Sequence, residues 1–166
     1  MTFQVDVMNE KAYPVNIARL QQAALTVLQS QSRQSKGCLT VVIEDDEAVA
    51  TLNFRYRGIE SATDVLSFPS EMPAMQIEMM NEDELPYLGD LIIAYPYALA
   101  QAQREGHDAV DSFSLLVVHG TLHLLGYDHD TLENRAEMWA AQETALIALG
   151  ISTAIVPALE GSIDDQ

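Results

Sequence analysis

The chain has 166 residues, 48% of them hydrophobic, and a formal net charge of −17. That length suits one domain with a real core, no apolar run approaches the roughly 20 residues of a membrane span, and an acidic field disfavours broad contact with polyanions. The charge is uneven, however: residues 1–57 balance six bases (Lys11, Arg19, Arg33, Lys36, Arg55, Arg57) against six acids, whereas residues 58–166 set only Arg104 and Arg135 against nineteen.

Along the chain, alternation in "TFQVDVM" predicts a short first strand. The opening "MTFQVDVMNE" carries neither a basic leader nor an apolar stretch, so no secretory signal is expected and a cytoplasmic location is. "VNIARLQQAALTVLQSQS" places Ile17, Leu20, Ala24 and Leu28 at helical spacing. "CLTVVIE" is rich in β-branched residues and reads as a strand. Its Cys38 is the only cysteine, which excludes an internal disulfide, suits a reducing compartment and is expected as a buried strand thiol. "DDEAVATLNFRYRG" has acids in its first turn and ends at Gly58, the pattern of a second helix.

"TDVLSFP" predicts a brief strand closed by Pro69, and residues 70–86 mix Pro, Met and acids without a period, as a loop or hairpin excursion does. "YLGDLIIAYP" is the clearest later strand, followed by a helix over "YALAQAQREG". "DAVDSFSLLVVHGTLHLLG" predicts a long apolar helix ending at Gly126. The last helix, "DTLENRAEMWAAQETALIALG", is expected to be capped by Asp130, with Glu133 three residues on, and to stop at Gly150. The expected architecture is α+β, one domain over residues 1–166, with a small mixed sheet of about four strands, about five helices and a frayed tail over residues 157–166.

Three of the chain's four histidines fall in "HGTLHLLGYDHD". His119 and His123 are four residues apart on the long helix, so both project from one face about 6 Å apart along the axis. A straight helix offers no third ligand there, but Gly126 can turn the chain back and bring His129 to the same point. Three imidazoles with a fourth position open is the catalytic pattern of zinc, and a metal site at the end of the central helix is expected. Asp128 is a candidate to hold the second ring nitrogen of a ligand. His107, in the polar stretch "REGHDA", is expected to be exposed and outside the site.

The spacing matches the metzincin protease motif H-E-x-x-H-x-x-G-x-x-H except at one position, where Gly120 stands for the glutamate base. Peptide hydrolysis of that type needs the carboxylate, so its absence argues against a peptidase. A glycine there is read as leaving room for a substrate backbone beside the metal. The ion keeps its Lewis acidity and its effect on the acidity of water, both of which a phosphodiester can use.

"HGTLHLLGYDHD" also resembles the signature of the YbeY family, bacterial zinc-dependent endoribonucleases of rRNA maturation. "LNFRYRGIESATDVLSFP" and "LGDLIIAYP" are similar to two further blocks of that family, in the same order, although Ile59, Glu60 and Ser61 stand where relatives often carry a lysine and an acid. The resemblance implies one zinc ion on His119, His123 and His129, and an essential arginine at Arg57. It further implies cleavage of single-stranded RNA in rRNA maturation and ribosome quality control, with a small-subunit ribosomal protein or an assembly GTPase as partner, and neither membrane nor DNA.

On its own chemistry, Arg57 can grip phosphate oxygens and offset transition-state charge, or can simply interact with the carbonyls of a helix end. Asp64, Ser67, Gly89 and Asp90 can line a cleft or serve as ordinary strand and turn residues. Water and the RNA 2′-hydroxyl both remain open as the attacking group. A zinc metallopeptidase and a non-catalytic assembly factor stapled by zinc are the rival readings. To reconcile RNA with the acidic chain, Arg19, Arg33, Lys36, Arg55 and Arg57 are expected to gather near the metal cleft.

Overall fold

Four strands, β1 (Thr2–Met8), β2 (Lys36–Glu44), β3 (Val65–Pro69) and β4 (Tyr87–Ala94), form one sheet in the computed structural model, which describes residues 2–155. The sheet order is β1-β2-β4-β3, with the first three parallel and β3 antiparallel to β4 at the edge. Proline cannot donate to a ladder, and Pro69 sits at the last pair of this edge strand, opposite Gly89. The mixed α+β sheet is the expected one.

Parallel neighbours need a crossover, and between β1 and β2 it is α1 (Ile17–Gln31). Asn16 caps it by accepting from the Arg19 amide at 3.1 Å, and Leu20, Ala23, Ala24, Val27 and Leu28 form its buried stripe. Ile17, expected inside, is 45% exposed because it lies in the first turn, ahead of that stripe. The next helix, α2 (Asp46–Arg57), is capped by Asp45 and ends at Gly58 with φ +71°. It buries only Val49 and Asn53, so most of its surface faces water.

Residues 70–86 contain no hairpin: Pro73 leads into a single-turn helix, α3 (Ala74–Glu78). With α4 (Tyr95–Glu105), α5 (Ala109–Leu124) and α6 (Leu132–Leu149), the described residues hold six α-helices rather than about five. The extra one is too short to carry a periodic signal. The fraying expected of residues 157–166 lies outside the described residues.

The main core lies between one face of the sheet (Leu39, Val41, Ile43, Leu91, Ile93) and helices α1, α5 and α6. A smaller cluster of Val49, Leu66, Ile92 and Ala94 fills the opposite face beneath α2. Every residue of α5 from Phe113 to Leu122 is buried, which is why that helix is apolar all round rather than on one stripe. Its close seat on the sheet depends on Gly120, where an added Cβ would stand 2.8 Å from Leu91 Cδ2 and 3.2 Å from Ser67 Oγ.

Candidate metal centre

The i, i+4 spacing on α5 brings the Nε2 atoms of His119 and His123 to 3.0 Å of each other. Two nitrogens bound to one tetrahedral zinc stand about 3.4 Å apart. Past Leu124 the helix closes as a Schellman turn: Gly126 donates to the His123 carbonyl and Tyr127 to that of Leu122, each at 3.0 Å. Gly126 has φ +99°, a conformation that side chains with a Cβ rarely adopt. The reversed chain carries the His129 ring to 5.5 Å from that of His119 and 5.1 Å from that of His123. One ligand atom from each of the three lies within 4.8 Å of the others, so the cluster is positioned to bind a metal ion.

Hydrogen bonding behind the rings fits a metal too. His119 Nδ1 is 3.0 Å from Gln142 Oε1, and His123 Nδ1 is 3.0 Å from the Tyr127 carbonyl. Both partners are acceptors, so each Nδ1 carries the proton and each Nε2 presents a lone pair toward the cluster. The Nε2 of His129 is buried with no hydrogen-bond partner. A buried ring nitrogen of that kind is costly unless a partner such as a cation satisfies it. Trp139 walls the cluster, its ring centroid 5.8 Å from those of both His119 and His129.

Asp128 does not hold a ring nitrogen; its Oδ1 accepts from the His129 backbone amide at 2.8 Å, fixing the turn instead. Thr131, not Asp130, caps α6 by accepting from the Asn134 amide at 3.0 Å. Asp130 accepts from the Asn134 side chain at 2.8 Å, and that bond holds its carboxyl below the usual range. Gly120 leaves no space for a substrate, because its open side is filled by Leu91 and Ser67. A side chain there would point into the sheet. His107 is half-buried rather than exposed, and with Asp64 and Ser112 it lines a cavity of about 20 Å³ elsewhere in the fold. Cys38 is half-buried, and burial pushes its thiol above the ordinary range, which leaves it a poor nucleophile.

From His123 a cleft of about 540 Å³ opens to solvent, bounded by the end of α2, by β3 and by the turn at Gly126 to Asp128. Arg57 is the only lysine or arginine among the described residues that line it. Its guanidinium donates to Asn53 Oδ1 at 3.4 Å, and the buried Asn53 amide donates to the Ser61 carbonyl at 2.8 Å, tying helix end to loop. Ser67 also lines the cleft and donates to the Gly120 carbonyl at 3.4 Å. Asp64 stands at the other end of β3, its Oδ1 accepting from the Val65 amide at 2.7 Å. Asp90 lies on the sheet face opposite Leu91 and accepts from the Tyr87 hydroxyl. At Gly89 a Cβ would collide with the Phe68 carbonyl, so this glycine serves strand packing.

The basic residues do not gather as expected. Arg33 lines a neighbouring groove that shares Gly126, Tyr127 and Asp128 with the cleft. Arg19 donates to the Leu149 carbonyl at the far end of α6, Lys36 to the carbonyls of Asn81 and Glu82, and Arg55 is exposed outside the cleft lining. Sequence reasoning also missed Gln142 and Trp139. The available signal was a glutamine at a core position of an apolar helix face, between Met138 and Ala145.

The chain matches known proteins over most of its length. The profile of the family described as Endoribonuclease YbeY matches residues 4–150. Endoribonuclease YbeY of Geobacillus thermodenitrificans is 36% identical over 155 residues, covering 92% of this chain and 99% of that protein. The Moorella thermoacetica protein of the same name is 38% identical over 163 residues, covering 89% and 98%. A solution structure of a Thermotoga maritima protein shares the fold with a TM-score of 0.52 at 21% identity, covering 86% of this chain and 89% of that one.

Proposed function

The chain belongs to the YbeY family of endoribonucleases, and on that premise we propose that it cuts single-stranded RNA at one zinc ion held by His119, His123 and His129. The observation that carries the reading is the convergence of the three imidazoles, two with their Nδ1 atoms hydrogen-bonded to acceptors, beside an open cleft that His123 lines. Zinc bound there supplies Lewis acidity toward a phosphoryl oxygen and toward water.

The protein's own part is positioning and charge. Arg57 offers a planar, permanently charged fork to the phosphate, and its contact with Asn53 limits where that fork can swing. Charge growing on the non-bridging oxygens is then met by a donor already in place. Gln142 and Tyr127 hold two ligand rings in the tautomer a cation needs. The peptidase reading is not favoured: the position after His119 faces Leu91, so no carboxylate can work from it. A purely structural ion is disfavoured by the solvent-open cleft beside His123.

The substrate we infer is ribosomal RNA, acted on in the cytoplasm during its maturation and ribosome quality control, with a small-subunit ribosomal protein or an assembly GTPase delivering it; DNA is not expected to be cut. No described helix is long and apolar enough to cross a membrane. The whole chain is read as one functional domain. Zinc-loaded protein is expected to cleave a single-stranded RNA oligomer, to lose activity on chelation, and to spare the DNA equivalent. Arg57→Ala should lower kcat by about 10²–10³-fold with zinc content unchanged, and His123→Ala should lose both. Equal trace activity in wild type and both variants would mark a contaminant and sink the reading.

A further inference from the structure

We propose that Tyr56, braced by Phe68, is a platform on which one nucleobase of the single-stranded substrate stacks at the rim of the cleft. The proposal rests on the RNA-cutting reading above and names how that site recognises its substrate.

Tyr56 is 62% exposed yet lines the same cleft as His123 and Arg57. Its ring meets Phe68 edge to face, with centroids 5.1 Å apart and planes at 65°. Phe68 is half-buried on β3 and packs against the cluster beneath α2, so it anchors Tyr56 from the sheet side. One part of the tyrosine ring is therefore held in place while the rest stays open to solvent. Edge-to-face pairs of this kind restrain a ring without covering both its faces.

Charge explains why such a platform is needed. The chain carries a net charge of −17, and Arg57 is the only lysine or arginine among the described residues lining the cleft. Phosphate contacts alone can supply little affinity under those conditions. Base stacking on an aromatic ring is independent of that field and tolerates any base. Tyr56 and Arg57 are consecutive at the end of α2, so a stacked base and the phosphate beside it fall within reach of one another. A duplex keeps its bases inside and cannot present one to Tyr56, which accounts physically for cutting single strands.

The test compares zinc-loaded wild type with Tyr56→Ala, Tyr56→Phe and Phe54→Ala, on a single-stranded RNA oligomer carrying 2-aminopurine at successive positions. Phe54 is another exposed aromatic of α2, and it does not line the cleft. Tyr56→Ala should raise KM about 5- to 100-fold with kcat and zinc content unchanged, and Tyr56→Phe and Phe54→Ala should behave as wild type. In stopped-flow traces before turnover, 2-aminopurine should be quenched at one position by wild type and Tyr56→Phe but not by Tyr56→Ala. Unchanged KM and quenching in Tyr56→Ala would overturn the platform while leaving the endoribonuclease reading intact. A Tyr56→Phe protein as weak as Tyr56→Ala would also overturn it, in favour of the hydroxyl. Wild-type protein that neither binds nor cuts the RNA would remove both.

Discussion

His119 Nδ1 lies 3.0 Å from the side-chain oxygen of Gln142, a residue 23 positions later on a different helix, and the contact is fully buried. It couples the metal centre to the core of α6, whose Met138, Ala145 and Leu146 pack on the same side. Outer hydrogen bonds of this kind set ligand orientation and basicity. Gln142→Leu is expected to weaken zinc binding about 10- to 100-fold, measured by competition with a chelator. Folding should survive, because the change also removes the Gln142 Nε2, which is buried with no hydrogen-bond partner. Unaltered zinc affinity would show that the glutamine merely fills space.

Gly120 yields a prediction opposite to the one its motif position suggests. Restoring the protease glutamate, Gly120→Glu, should create no peptidase and should destabilise the fold by about 3 kcal/mol or more, since it buries a carboxyl group against Leu91. For a chain of this size that corresponds to a loss of roughly 6–12 °C in Tm. A variant of wild-type Tm that cleaves peptides would reverse the assignment.

At the start of α6, Thr131→Ala should cost about 1 kcal/mol by freeing the Asn134 amide, seen as a Tm lower by roughly 2–4 °C. Asp130→Ala should cost less, because the main bond of its carboxylate is to the exposed Asn134 side chain and its group is not buried. Thermal unfolding of the two variants side by side distinguishes the cap from its neighbour.

Asp45 sets a pH dependence of folding. The Ala48 amide, 2.7 Å away, and then Lys11 hold its carboxyl below the ordinary value, while some desolvation opposes them. A carboxyl depressed in the folded state stabilises the fold fully above its unfolded pKa of about 3.9, and that contribution fades as pH falls through the lower folded value. The side-chain amide introduced by Asp45→Asn can still cap α2 but cannot ionise. Denaturant unfolding should therefore favour wild type at pH 5–7, and the gap should shrink as pH falls below the unfolded value of about 3.9. A gap that is constant with pH would exclude the charge as its source.

Much of the site is legible in the sequence alone. Helical arithmetic put His119 and His123 on one face, and Gly126 marked the turn that returns His129, because ligand spacing along one helix and one turn is a local property. The strands and long helices followed from hydrophobic period for the same reason. The cap of α6 was misplaced by one residue, since Asp130 and Thr131 both suit an N-cap by type and only backbone geometry chooses between them.

Tertiary structure decided the rest. Gly120 looked like part of the chemistry and proved to be a packing residue, because its neighbours, Leu91 and Ser67, come from strands distant in sequence. Gln142 and Trp139 join the centre only when α6 lies across α5, and Tyr56 meets Phe68 only when α2 covers the edge of the sheet. The five basic residues were sorted by their partners, leaving Arg57 alone in the cleft and Arg33 in the groove beside it. Sequence by itself determined which atoms could bind a metal, since ligand type and local spacing suffice for that. Only the folded chain decided what orients those atoms and what surrounds the substrate, since those contacts join segments that no period connects.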